Sequence, residues 1–309
     1  MNAPAPRSPV RWLMDKPYLL LSLAPLFWAG NIVLGRFIAA DFPPMALSVL
    51  RWGCACLIVL PFAWPHLRAD WPVIRKHLPL LTLLSLTGLA GYNAIAYLGL
   101  QSTQALNALL IQSSGPLFVA LWSLVLLGIR LTWPQTIGIC ISLLGVLTIL
   151  SRGHPETLAA IHLNKGDLLV TLGMAVFGIY SVLAVKRPAM HPLAFVAFAS
   201  GYGTVLLIPA LIVEILHGHH PALSVDNALT LAYVAIFPSI LSYLFFNRGV
   251  ELIGANRAAP FFHLIPVFGS VMAIVFLGER PQLFHVAGYA LVLAGVVIAA
   301  RGSTRRTTA

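Results

Sequence analysis

The chain has 309 residues, of which 59% are hydrophobic and only 9% are charged, and its mean hydropathy is +0.89. Soluble domains carry about 25% charged residues, so this composition excludes a soluble globular protein and predicts an integral membrane protein. The formal net charge of +10 lies at the two ends and in the connections between apolar runs, which argues against nucleic-acid binding.

Apolar runs recur along the whole sequence, each close to the roughly 20 residues that a membrane-spanning helix requires. Strands of a membrane barrel would alternate apolar and polar residues over about ten positions, and these runs do not. The expected fold is an all-α integral membrane protein with ten transmembrane helices and no soluble domain. The predicted spans are residues 18–38, 45–64, 78–100, 104–127, 134–151, 167–187, 192–216, 229–250, 256–278 and 284–301.

The basic residues predict the orientation of these helices. With the N-terminus in the cytoplasm, 14 of the 19 Lys and Arg residues fall on the cytoplasmic side, in agreement with the positive-inside rule. Both termini are therefore expected to be cytoplasmic, and their basic residues can also contact anionic lipid. The basic residues expected outside are Arg36, Arg51, Arg152, Lys165 and Arg280.

Three cysteines, Cys54, Cys56 and Cys140, fall inside predicted spans and lack the spacing of a metal site. They are interpreted as small core residues without disulfides. The first apolar run is longer than the core of a signal peptide, about 7–15 residues, and is expected to be a retained first helix.

The sequence repeats itself at an offset of about 150 residues. Pro116 matches Pro266 and Arg130 matches Arg280, and such matches are informative because these residue types have positional roles. Five spans per copy is an odd number, so the copies should cross the membrane in opposite directions. Inverted repeats are typical of secondary transporters, although some channels also have them. The predicted segments are a cytoplasmic tail 1–17, a first repeat 18–152, a periplasmic linker 153–166, a second repeat 167–301 and a cytoplasmic tail 302–309.

Two segments carry a family resemblance: LGIRLTWPQTIGICISLLGV (127–146) and LGERPQLFHVAGYALVLAGV (277–296). They resemble the Leu-Gly-Glu turn and glycine-spaced helix of EamA-type ten-helix exporters of the drug/metabolite transporter superfamily. The resemblance covers essentially the whole chain, although Ile129 replaces the acidic residue in the first copy. It implies a central cavity lined by spans 1, 3, 4, 6, 8 and 9. The aromatic spans are most similar to aromatic amino-acid exporters of Gram-negative inner membranes.

Few ionisable residues are expected in the bilayer interior, where each costs about 2.5–3.5 kcal/mol. No Asp, Glu, Lys or Arg is expected near the middle of a span, and the absence of a buried carboxylate favours facilitated transport or coupling other than by protons. His263 is the expected mid-depth titratable residue apart from Tyr and Cys. It is interpreted either as a proton relay or as a hydrogen-bonded packing residue.

Aromatic and uncharged polar residues recur at matching depths in both copies. Trp28 and Asn31 share a helical face, as do their repeat partners Phe177 and Tyr180. The alternative is that such residues only pack and form interhelical hydrogen bonds, worth about 0.6 kcal/mol each. The predicted cavity residues are Trp28, Asn31, Asn93, Tyr97, Gln112, Ser113, Phe177, Tyr180, Ser239, Tyr243, Phe262 and His263.

Other residues are expected to support transport. Pro116 and Pro266 each remove a backbone donor within a span and are predicted hinges. Arg248, Glu251 and Arg257 are predicted to form an ion cluster that acts as a gate or locks the fold at the cytoplasmic end. Small residues in spans 5 and 10 predict close helix packing and a scaffold role. These are Gly138, Ser142, Gly145, Gly288 and Gly295.

The predicted function is export of small zwitterionic metabolites, in particular aromatic or bulky amino acids, by a monomeric inner-membrane carrier. Hydroxyl and amide groups would bind the zwitterion without a fixed countercharge. The alternatives are efflux of nucleosides or hydrophobic drugs, a channel, and a membrane-embedded lipid-handling enzyme. No P-loop, HExxH or GxSxG motif is present, so no ATP-driven step, enzyme activity, cofactor or metal is expected. The loop containing His217, His219 and His220 is discounted as a metal site, because one short tract rarely completes a tetrahedral site.

Overall fold

The computed structural model describes residues 9–38, 42–103, 105–154, 156, 164–222, 224–277 and 282–301, and their regular secondary structure is helical throughout. The all-α fold is therefore confirmed for these residues, whereas the ten-span count and the orientation of the termini stay predictions. Within the described part, eight helices have the length and composition to cross a membrane. They are Pro17–Gly35, Pro44–Lys76, Leu78–Ser102, Trp133–Leu150, Lys165–Lys186, Pro192–Leu216, Val225–Ile253 and Leu283–Arg301.

The helices follow one another with short connections. Those of the first half are α1 (Pro9–Met14), α2 (Pro17–Phe37), α3 (Pro44–Lys76), α4 (Leu78–Leu84), α5 (Gly91–Ser102), α6 (Ala105–Gln112), α7 (Gly115–Leu127) and α8 (Trp133–Leu150). Those of the second half are α9 (Lys165–Leu183), α10 (Pro192–Leu216), α11 (Val225–Ala235), α12 (Ser242–Ile253), α13 (Ala255–Ala258), α14 (Leu264–Leu277) and α15 (Leu283–Arg301).

Predicted spans 4 and 9 are interrupted helices. The first breaks at residues 113–114, between α6 and α7, and the second contains a 3₁₀ segment, Ala259–His263, between α13 and α14. Pro116 and Pro266 lie in the first turns of α7 and α14. A first-turn proline sacrifices no helical hydrogen bond, so each predicted hinge proline begins the half-helix that follows the interruption.

Helix α3 is longer than the predicted span 45–64, because it continues to Lys76 through three internal prolines. Its extension is held by tertiary contacts at the start of α10, against which α3 packs. The backbone N–H of His191 donates to Asp70 Oδ2 over 2.8 Å, and the His191 ring stacks on His66 at 3.5 Å. These contacts offset the backbone hydrogen bonds that the prolines remove.

A π-helical segment occupies the same place in each half of the chain. Ser85–Ala90 joins α4 to α5, and Ile236–Leu241 joins α11 to α12. Such segments widen one helical turn and leave backbone groups differently placed, often at functional sites. The two halves therefore share a local irregularity as well as sequence.

Helices α8 and α15 pack backbone to backbone. A Cβ atom on Gly138 would lie 2.5 Å from the carbonyl oxygen of Gly295, and one on Gly145 would lie 2.7 Å from that of Gly288. The predicted close packing of these helices is confirmed. Cys140 lies on the opposite side of α8 and is exposed, so its predicted core position is wrong. Two residues along a helix turn the side chain by about 200°, away from the face of Gly138.

The LGIR turn ends α7 through a left-handed glycine. Gly128 has φ +66°, and the N–H of Ile129 donates to the Ser123 carbonyl over 3.0 Å. This arrangement caps the last carbonyls of the helix. Its repeat counterpart LGER lies outside the described residues beyond Leu277, as do tail residues 1–8 and 302–309.

Candidate substrate site

An aromatic cluster surrounds Trp28. The ring of Phe262 stacks on the indole at 5.7 Å with an interplanar angle of 16°. Phe246 lies 5.3 Å away, and Phe177 and Tyr243 meet the indole edge-to-face at 5.8 and 6.0 Å. The structure thus brings together four predicted cavity residues and adds Phe246, which the sequence analysis missed. The aromatic cluster is defined here as these five residues.

The two π-helical segments each present a carbonyl group to this cluster. Trp28 Nε1 donates to the Pro238 carbonyl over 3.1 Å, and the Tyr243 hydroxyl donates to the Gly88 carbonyl. Gly88 and Pro238 lie 150 residues apart, at corresponding positions of the repeat. Each half of the chain therefore supplies a donor to the irregular helix of the other half.

Arg51 corrects the expectation that no arginine lies within the membrane interior. It was counted as an external residue, but it is the eighth residue of α3, about 10 Å along the helix axis, and only 1% of its surface is exposed. Burial of a cation is costly unless hydrogen bonds or an opposite charge offset it. Arg51 is therefore a functional-site candidate that the hydropathy-based assignment overlooked.

Four predicted cavity residues bind the Arg51 guanidinium. Nη1 donates to Asn93 Oδ1 and the Tyr97 hydroxyl oxygen, both at 2.7 Å, and to Asn31 Oδ1 at 3.1 Å. Nε donates to Ser239 Oγ over 2.5 Å. Helices α2, α3 and α5 and the second π-helical segment thus meet at one cation.

A tyrosine–asparagine hydrogen bond occurs in both halves with the two residue types exchanged. The Tyr97 hydroxyl donates to Asn31 Oδ1 over 2.7 Å, and the Tyr180 hydroxyl donates to Asn247 Oδ1 over 2.6 Å. In the sequence repeat, Tyr180 corresponds to Asn31 and Asn247 to Tyr97. Only the first pair contacts Arg51, so the repeat is chemically asymmetric.

The interrupted span 4 reaches the aromatic cluster through Tyr92. Gln112 Nε2 and the Tyr92 hydroxyl lie 3.0 Å apart, and the Tyr92 ring lies 4.7 Å from Phe177. Ser113, in contrast, turns its hydroxyl to the Leu109 carbonyl at 3.0 Å. Gln112 therefore supports the cluster, whereas the Ser113 side chain satisfies its own helix.

His263 links both interrupted spans to the scaffold helix α8. Its Nε2 lies 2.8 Å from the Ser113 carbonyl oxygen, and its Nδ1 lies 2.5 Å from Ser142 Oγ. A carbonyl can only accept, so in the neutral ring Nε2 carries the proton and Nδ1 accepts from the serine hydroxyl. Of the two interpretations of this residue, the contacts favour hydrogen-bonded packing.

We expect His263→Ala to lower the free energy of unfolding by about 1–3 kcal/mol, because it leaves a buried carbonyl without its donor. Titration with dodecyl sulfate in mixed micelles, followed by circular dichroism, measures this loss. His154→Ala is the matched control, since the His154 side chain is 71% exposed, and it should change stability by less than about 0.5 kcal/mol. Equal stability of the two variants would contradict the cross-linking role.

A cavity of about 560 Å³ opens at the end of the protein that is predicted to be cytoplasmic. Ligand sites in proteins usually measure about 300–1,000 Å³. This vestibule is lined by Met14, Asp15, Arg187, Met190, Pro192, Val196, Leu244, Asn247, Arg248 and Glu251. It reaches Asn247, and Asn247 holds Tyr180, whose ring lies 5.4 Å from Phe177 of the aromatic cluster.

The vestibule contains an ion cluster that differs from the predicted one. Arg248 Nη1 pairs with Glu251 Oε1 at 3.0 Å, Arg187 Nη2 lies 3.7 Å from Glu251 Oε2, and Asp15 lies 3.8 Å from Arg248. Arg257 lies apart from these groups, because its Nε donates to the Ala300 carbonyl near the end of α15 over 2.6 Å. Carbonyls at a helix C-terminus attract cations, which explains its position.

Two carboxylates connect helices at the opposite end. Glu214 of α10 accepts from the first turn of α3, with its oxygens 3.0 and 2.8 Å from the backbone nitrogens of Met45 and Ala46. Asp167, only 2% exposed, accepts from Thr103 Oγ1 and from Asn107 Nδ2. These contacts hold α3 to α10 and α9 to the α5–α6 connection.

Comparison with known proteins identifies the family. The profile of the EamA-like transporter family matches residues 15–151 and, separately, residues 164–301. The chain belongs to the EamA-like transporter family. The predicted resemblance is thereby confirmed, and the apolar helices together with this membership make the protein a multi-pass protein of the inner membrane.

Similar EamA-like proteins are named as transporters rather than enzymes. The chain is 29% identical over 291 residues to the uncharacterized transporter YyaM of Bacillus subtilis, covering 91% of this chain and 92% of the relative. It is 28% identical over 295 residues to a probable terminal-alkyne amino-acid exporter of Streptantibioticus cattleyicolor, covering 95% and 96%. One solved crystal structure has the same fold, with a TM-score of 0.70 at 19% identity and coverage of 92% and 96%.

Proposed function

We propose that this transporter exports small zwitterionic metabolites, namely amino acids with an aromatic or bulky apolar side chain, by alternating access. One observation carries the proposal: an aromatic surface and a hydrogen-bonding network meet at a single atom. Trp28 Nε1 and Arg51 Nη2 donate to the same Pro238 carbonyl oxygen, at 3.1 and 3.3 Å. A ligand at this point would contact apolar rings on one side and polar groups on the other, as an amphipathic amino acid requires.

Two further features support the proposal. The rings of the aromatic cluster already contact one another, so an entering substrate ring exchanges one aromatic contact for another, each worth about 0.5–1.5 kcal/mol beyond area burial. The name of the Streptantibioticus relative contains an amino-acid exporter, and we extend that substrate class to this chain. In this proposal the two halves rock about the central site, with the half-helices that begin near Pro116 and Pro266 as the moving parts.

The test is counterflow in proteoliposomes. Vesicles preloaded with unlabelled phenylalanine are diluted into labelled phenylalanine, with no ion gradient imposed. We expect transient, saturable accumulation of label, which an exchange carrier produces and a channel does not. Vesicles without protein and vesicles with the lipid-facing variant Leu121→Ala, whose parent side chain is 50% exposed, are the negative and positive controls.

The other outcomes favour the other functions. Accumulation of labelled uridine or of a lipophilic cation without any accumulation of amino acids would replace the amino-acid assignment by nucleoside or drug efflux. Flux that rises linearly with concentration and shows no counterflow would indicate a channel.

A further inference from the structure

Arg51 is a buried cation that neutral groups alone hold. Its described partners are amide, hydroxyl and carbonyl oxygens. No carboxylate of the described residues forms an ion pair with it, and the described ion pairs of arginine lie at the far end of the vestibule. Dipoles of neutral groups only partly replace the hydration that a buried charge loses. The centre of the protein therefore carries an uncompensated positive charge.

The guanidinium also retains a free donor. An arginine has five N–H groups, two of them on Nη2. The single bond from Nη2 to a described group is the one to Pro238, so one of its N–H groups has no partner in the described part of the chain. This free donor is on the nitrogen that shares the Pro238 carbonyl with Trp28, next to the aromatic cluster.

Two more buried donors lie close by on α3. Trp52 Nε1 and Ser48 Oγ have no hydrogen-bond partner among the described residues, although both side chains are fully buried. The Trp52 ring lies 4.9 Å from the Arg51 guanidinium carbon and 5.2 Å from the Tyr243 ring, so it joins the cation to the aromatic cluster. Ser48 is one turn away and shares its face. Buried polar groups normally have partners, so this surplus of donors calls for an acceptor.

We propose that Arg51 binds the carboxylate group of the transported substrate, an inference that rests on the proposed transport function. A carboxylate is planar and accepts several hydrogen bonds, which matches the guanidinium fork and the neighbouring donors. The substrate's apolar group then lies against Trp28 and its neighbours. A substrate ammonium group is bound by the second lone pairs of the Asn31 and Asn93 oxygens. The required substrate class is thus a carboxylate with a bulky apolar group, and the amine is secondary.

Ligand binding to the detergent-solubilised protein tests this assignment independently of transport. The probes are phenylalanine, 3-phenylpropionate, which lacks the amine, and 2-phenylethylamine, which lacks the carboxylate. The readout is the rise of the thermal unfolding midpoint with ligand concentration. We expect both carboxylates to raise the midpoint and the amine to require at least about tenfold higher concentration. Equal stabilisation by the amine, or none by either carboxylate, would overturn the assignment.

Variants of Arg51 locate the effect. Arg51→Gln should abolish stabilisation by 3-phenylpropionate, and Arg51→Lys, which keeps the charge but loses the fork, should weaken it by about tenfold. Arg68→Gln is the matched control on the same helix, since Arg68 lies over the exposed Trp64 ring at 4.9 Å. If Arg51→Gln does not fold, the comparison of the three probes on the unmodified protein still decides. Carboxylate-selective binding without phenylalanine counterflow would retain the site and reject the proposed transport function. Phenylalanine counterflow that 2-phenylethylamine inhibits as well as 3-phenylpropionate would do the reverse.

Discussion

Replacing Trp28 by alanine is expected to raise the KM for phenylalanine counterflow by about tenfold or more. Trp28 contacts the four other rings of the aromatic cluster within 6.0 Å, so its removal opens the centre of the proposed binding surface. Loss of two ring contacts with the substrate, at about 0.5–1.5 kcal/mol each, corresponds to roughly tenfold in affinity. Trp28→Phe should lie between the two, because it keeps a ring but loses the indole donor to Pro238.

The measurement is the concentration dependence of counterflow in vesicles that contain equal amounts of folded protein. Trp133→Ala is the matched control, because the same substitution is made at a side chain that is 80% exposed, and its KM should equal that of the unmodified protein. A larger effect for phenylalanine than for valine would attribute the change to ring contacts rather than to a general loss of activity. An unchanged KM in Trp28→Ala would remove the aromatic cluster from the binding surface.

Much of the centre could be predicted from sequence because an apolar span fixes the depth of its residues to within about one turn. Trp28 and Phe177 occupy matching depths in the two repeats, and their rings lie 5.8 Å apart. Asn31 and Tyr97 were expected in the same cavity, and they share a hydrogen bond of 2.7 Å. The repeat strengthened each assignment, since two positions of similar chemistry had to agree.

Arg51 could not be recognised by the same reasoning. Counting basic residues by side treats a charge near the end of an apolar run as a loop residue, and α3 has its boundaries elsewhere. The burial of Arg51 depends on Asn93, Tyr97 and Ser239, which come from other helices and meet it only in the folded protein. A signal was nevertheless present, because Pro44 at the first helical position marks a start seven residues before the arginine.

The π-helical segments were also beyond prediction, since no residue periodicity marks a single widened turn. They displace the carbonyls of Gly88 and Pro238 toward the aromatic cluster. Asn247 shows a related difficulty: as the repeat counterpart of Tyr97 it was expected at that depth. Its hydrogen bond with Tyr180 becomes evident only when the exchanged pair of the first half is seen beside it.

Replacing Gly88 by alanine is expected to lower the free energy of unfolding by about 1–3 kcal/mol through overpacking. A Cβ atom at this position would lie 2.5 Å from Tyr180 Cε2, a separation that real side chains do not adopt. The Tyr180 ring cannot turn aside freely, because it is fully buried and its hydroxyl is bound to Asn247. Gly53→Ala is the matched control, since its Cβ would meet Thr204 Cγ2 at an ordinary 3.6 Å. There alanine should be neutral or stabilising by up to about 1 kcal/mol, because it favours helix.

A double-mutant cycle with Tyr180→Ala separates the ring contact from an effect on the backbone. If the clash with the ring causes the loss, Gly88→Ala should cost almost nothing once the ring is absent, and the coupling free energy should approach the whole single-mutant cost. Unfolding by dodecyl sulfate in mixed micelles gives the four free energies that the cycle needs. A cost that persists in the Tyr180→Ala background would assign the glycine to the geometry of the π-helical segment. Its carbonyl would then be expected to lose the Tyr243 hydrogen bond as well, and transport would fall in Gly88→Ala even where the protein remains folded.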